Sequence, residues 1–109
     1  MTLRLYVLQR MTAALMVPLI IGHLIVIFYA TSNGLSAAEI LGRTRGSIGW
    51  ALYYGLFVIL ASVHGAIGVR GVLREWTRLT PGALDAIMWA FGLLLAILGA
   101  RAVAAVVLP

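Results

Sequence analysis

Of the chain's 109 residues, 63% are apolar and only 10% are charged, a balance that argues against a water-soluble fold. Cysteine is absent, so disulfides, thiolate zinc sites, cysteine-held iron–sulfur clusters and cysteine nucleophiles are all excluded from this chain. The net charge of +5 comes from arginines set against Glu39, Glu75 and Asp85. Most of those arginines sit beside apolar runs, which suits anionic headgroups or an acidic partner and gives no nucleic-acid face.

The first apolar segment, about Met11–Thr31, is long enough to cross roughly 30 Å of hydrocarbon, and no strand-like alternation interrupts it. It lacks a small-residue cleavage site and reads as a span that stays in the bilayer, not as a signal peptide. Pro18 lies five residues before His23, where it frees a carbonyl one turn back and permits a kink. Asn33-Gly34 stops the helix, and "TSNGLSAAEILGRTRG" reads as the break before the next one.

The second span, about Ser47–Gly71, carries His64 and is crowded by Gly65, Gly68 and Gly71. An ionisable group inside a membrane is a functional hypothesis by default, although histidine is the cheapest to bury. His64 precedes Arg70 by six residues, which puts it roughly 9 Å below the boundary that Arg70 marks. Gly68 and Gly71 share its face and leave a flat surface on which a planar macrocycle could approach the imidazole. A hydrogen bond to another helix satisfies such a ring equally well, and the residues alone leave both readings open. His23 lies nearer the other leaflet because the two helices run antiparallel, at a height that differs by on the order of 10 Å. The two rings therefore cannot grip one iron from both faces; if both are ligands, they serve different haems.

After "TRLTPGALD", with Pro81 as a helix start and Asp85 expected in the first turn, the third span runs over about Ala83–Leu108. Gly92 and Gly99 share one of its faces, where another helix can come close. Arg101 is flanked by apolar residues and either snorkels to the outer surface or meets a haem propionate near His23. Arg4, Arg10, Arg70, Arg74 and Arg78 fall on one side of the membrane and Arg43, Arg45 and Arg101 on the other, which places the amino terminus in the cytoplasm and the carboxyl terminus outside. Trp50, Tyr53, Tyr54 and Trp89 read as interfacial belt or packing residues. The expectation is an all-α, three-helix transmembrane anchor forming one domain over residues 1–109 and needing a partner.

Two motifs carry a family resemblance across nearly the whole chain. "HGAIGVRGVLREW" resembles the second-helix signature of the small membrane-anchor subunits of succinate:quinone oxidoreductase, with His64, Gly68 four residues on, Arg70, and the pair Glu75-Trp76. "LQRMTAALM" is similar to the start of those anchors' first helix, with Arg10, Thr12 and Ala13. The resemblance implies an inner (cytoplasmic) membrane complex in which a flavoprotein oxidises succinate and an iron–sulfur subunit carries the electrons. Two anchor subunits then pack around haem b and reduce quinone, and the anchor has no catalytic residue of its own. It makes His64 an axial haem ligand and Arg10 a quinone-site residue, with Glu75 an acidic position that pairs with an arginine, Arg10 or a partner's. Trp76 falls where many members have a quinone-binding tyrosine; an indole donates only through Nε1 and reaches differently.

Some relatives stack two haems across the membrane, and His23 with His64 fits that arrangement, one ligand per level; a single haem on His64 is the other expectation. Thr12 offers the quinone a small hydroxyl or bonds back to its own helix. Arg70 is a candidate for the inner haem's propionates, and Arg74 and Arg78 for headgroups or for docking the iron–sulfur subunit. Two further readings stand beside this one: a haem-free scaffold that tethers a soluble dehydrogenase, and a fumarate reductase anchor working in the reverse direction.

Overall fold

The computed structural model describes residues 2–34 and 36–108; Met1, Leu35 and Pro109, which the expected domain includes, lie outside the described residues. Among the described residues there are four helices: α1 Leu3–Ser32, α2 Ala37–Thr44, α3 Ile48–Trp76 and α4 Pro81–Val107. Three of them, α1, α3 and α4, are long and apolar enough to cross a membrane, as the all-α three-span expectation requires.

Each helix starts on a hydroxyl residue in extended backbone. Thr2, Ser36, Ser47 and Thr80 accept hydrogen bonds from the amides of Leu5, Glu39, Trp50 and Ala83 at 3.0–3.3 Å, satisfying donors that the first turn leaves free. α1 ends at Asn33-Gly34 as expected, with Gly34 at φ +85°, a conformation that a side chain would strain. α1 begins eight residues before the expected span and α3 runs five beyond it, because a helix continues through the headgroup layer after its apolar stretch has ended. α4 begins at Pro81, so Asp85 sits in the second turn, not the first, too far from the amino-terminal amides for the dipole role expected of it.

The segment between the first two spans is not a plain break. Ser36 and Glu39 have the spacing of a capping box, Glu39 pairs with Arg43 one turn on at 4.0 Å, and α2 forms between them. α2 closes the far end of α4: Thr44 Oγ1 donates to the Val106 carbonyl at 2.6 Å, and the Gly46 amide donates to the Val107 carbonyl at 2.6 Å. Two of the carbonyls that a helix end leaves without partners are thus satisfied in the chain itself.

α3 is the spine. It packs against α1 on one side and α4 on the other, while α1 and α4 scarcely meet. The α3–α4 seam depends on missing side chains: a Cβ on Gly99 would stand 2.5 Å from Val58 Cγ1, and one on Gly92 would stand 3.0 Å from Ala66 Cβ. On the α1 side, Tyr53 lies over Gly22 and its hydroxyl donates to the carbonyl of Leu19, the residue after Pro18. Large apolar side chains such as Leu24, Ile25, Phe28, Leu52, Ile59 and Ile97 point outward along the spans, the distribution expected where the solvent is lipid.

Candidate functional site

Thr12 is 5% exposed and lies about two and a half turns into α1, at the start of its apolar span and facing α3. Its Oγ1 is 2.8 Å from the Leu8 carbonyl and 3.2 Å from Nδ1 of His64. His64 is thus tied to α1 through one ring nitrogen; Nε2 forms no hydrogen bond among the described residues. Gly68, one turn on, does not leave the open flat surface that the sequence suggested. The Gln9 amide lies over it, at 3.4 Å from where a Cβ would be, and Gln9 Oε1 is buried without a partner. Gln9 was not among the expected site residues; an amide inside an apolar helix start, next to Arg10, was the signal for it.

His23 occupies a second level. Its ring meets Tyr54 and Phe57 edge-on at centroid distances of 6.0 and 5.6 Å, and its Nδ1 is buried without a hydrogen-bond partner. It borders an apolar groove of about 340 Å³ that is also lined by Ile40 and Thr44 of α2 and by Gly99 and Val106 of α4. Trp50, Tyr53 and Tyr54 cluster within 5.3–5.8 Å of one another, and Tyr54 brings this cluster against His23, so these three pack within the chain. Phe57 precedes His64 by seven residues, which separates the two levels by roughly 10 Å and only about 20° around α3. Among the described residues no three His, Cys, Asp or Glu side chains converge.

The arginines divide. Arg70, 9% exposed, bonds through Nε to Asp85 Oδ1 at 2.8 Å and joins α3 to α4. Arg10 is exposed and lies over the Tyr6 ring at 6.0 Å. Glu75 and Trp76 are also exposed, Trp76 at 82%; among the described residues neither pairs with Arg10, and the expected Glu75–Arg10 pair does not form within the chain. The reason is reach: Arg10 and Glu75 both project outward from their helices, whereas Arg70 turns in toward α4. Arg101 does not approach His23. The α4 residues bordering that groove are Gly99, Ala102, Val103 and Val106, and Arg101 lies roughly 150° around the helix from their centre. Thr12 is buried and turned to His64.

Residues 1–107 match the family described as the succinate dehydrogenase/fumarate reductase transmembrane subunit. The chain belongs to that family. It is an integral membrane subunit of a multi-subunit succinate dehydrogenase/fumarate reductase complex, as the three apolar helices and the two motifs together led us to expect. No curated protein and no solved structure matches it.

Proposed function

We propose that this transmembrane subunit holds haem b through His64 and supplies one wall of a quinone-reduction site at the end of the molecule where α1 begins and α3 ends. The observation that carries the reading is the state of His64. Metal-bound imidazoles ordinarily bond through their second nitrogen to a fixed group, and His64 has that bond at Nδ1 with Nε2 left over. His23 lacks such a bond, since its Nδ1 is buried and orphaned, and it is the ligand of a second haem at the other level in the fuller form of the proposal. When bound, haem b relays single electrons between the iron–sulfur subunit and the quinone level. The chain offers one imidazole per level, so a second anchor subunit completes each coordination.

Arg10, Glu75 and Trp76 stand exposed at the same end and converge on nothing within the chain, as three side chains do when a partner closes their pocket. Arg10 steadies negative charge on a quinone oxygen where water is scarce. Glu75 passes protons from the aqueous side, and Trp76 Nε1 donates to the ring's other oxygen. Arg74 and Arg78 face the iron–sulfur subunit or anionic headgroups, and Arg101 reaches the opposite surface. In this reading the complex lies in the cytoplasmic membrane, and the split of the arginines supports an amino terminus inside. Either direction, succinate oxidation or fumarate reduction, is open to the same wall.

A haem-free scaffold is the second reading, favoured by one observation: the Thr12 bond already gives His64 a partner. A reduced-minus-oxidised spectrum of the purified complex separates the two. The proposal expects a b-type band that His64→Ala removes at the inner level and that His23→Ala reduces at the outer one. No band in the parent complex would leave the scaffold, and an unchanged haem stoichiometry in His23→Ala would leave a single haem.

A further inference from the structure

The Thr12 hydroxyl has one proton and two lone pairs to distribute. Three groups lie within reach: the Leu8 carbonyl at 2.8 Å, the Gln9 carbonyl at 3.1 Å and His64 Nδ1 at 3.2 Å. Both carbonyls can only accept, and the shortest contact is to Leu8, so the hydroxyl proton points back into α1. What remains for His64 is a lone pair on Oγ1. Only a proton on Nδ1 can fill that contact, and a neutral imidazole protonated at Nδ1 carries its free lone pair on Nε2.

We infer that Thr12 is a positioning residue that holds His64 as the Nδ1–H tautomer, aiming the Nε2 lone pair and setting how strongly the ring donates. This rests on the haem-ligand reading of His64 and specifies the ligating atom. The reverse arrangement, a hydroxyl donating to Nδ1, would put the ring's proton on Nε2, where iron could bind only after that proton moved, so the direction of this one bond sets how ready the ring is for iron. Burial protects it: at 5% exposure Thr12 meets almost no water that could compete. An Nδ1–H that donates to an oxygen makes the imidazole a better electron donor, which favours ferric over ferrous iron. Thr12 therefore lowers the midpoint potential of the iron on His64.

The test uses the intact complex with Thr12→Val, which keeps the shape without the hydroxyl, and Thr12→Ser, which keeps the hydroxyl. Thr12→Val should weaken haem binding about tenfold or more and raise the midpoint potential, and Thr12→Ser should restore both. A Thr12→Val complex with parental haem affinity and potential overturns the inference. A parent complex with no b-type band instead overturns the haem reading itself. In that case, or if Thr12→Val fails to assemble, the 15N shifts of His64 in the parent decide: a protonated Nδ1 supports the inference, and a protonated Nε2 overturns it.

Discussion

Arg70 and Asp85 show how a charge in the spans is accommodated. The guanidinium is nearly buried while the carboxylate is 54% exposed, so the aspartate keeps part of its hydration and the arginine relies on the pair. Asp85→Ala should destabilise the subunit by about 1–3 kcal/mol, the cost of stranding a buried donor, and Asp85→Asn by less because an amide oxygen still accepts. Thermal melts of the detergent-solubilised complex would read this, and a melt unchanged in Asp85→Ala would show that the pair stabilises nothing. Both residues were visible in the sequence, but the pair was not. Arg70 lies six residues before the end of α3 and Asp85 four after the start of α4, equivalent heights in a helical hairpin, yet that follows only once α3 is seen to run on to Trp76. His64 and Thr12 were likewise both legible as site residues. Their bond was not, because it depends on the register of α1 against α3, which hydropathy does not set.

Among the elements, the spans were the readable part and α2 was not. Twenty apolar residues announce themselves by length, whereas α2 is eight residues with a charged pair, and its signal was the Ser36–Glu39 capping spacing inside a segment that otherwise reads as a turn. The glycines of α4 were recognised as a helix-facing stripe, and their partner proves to be α3 of the same chain. That assignment makes a specific expectation at the tightest point. Gly99→Ala forces a methyl into Val58 and should cost about 1–3 kcal/mol, even though alanine is the better helix former. Val58→Ala combined with Gly99→Ala should recover most of the loss. Equal stability of Gly99→Ala and the parent would mean that α3 and α4 are not seated this closely.

At the scale of the molecule, a central helix carries one flanking helix on each side, and the two histidines lie at separate levels on the α1 side of it. Thr12 fixes the inner ring, while aromatic edges and α2 surround the outer one. Most of the remaining surface along the spans is apolar and faces outward, and among the described residues two of the three buried polar atoms without partners, on Gln9 and His23, belong to these same two levels, the third being Arg43 Nε on α2. On the proposed function, a chain arranged in this way supplies half of a site and takes the rest from a second anchor subunit. The most direct measurement is a density map of the intact complex at a resolution that orients the His64 ring. The account predicts Nδ1 on the Thr12 hydroxyl and Nε2 on the iron of a porphyrin shared with the second anchor; Nε2 directed at lipid or bonded to a neighbouring helix, with no porphyrin beside it, would contradict it.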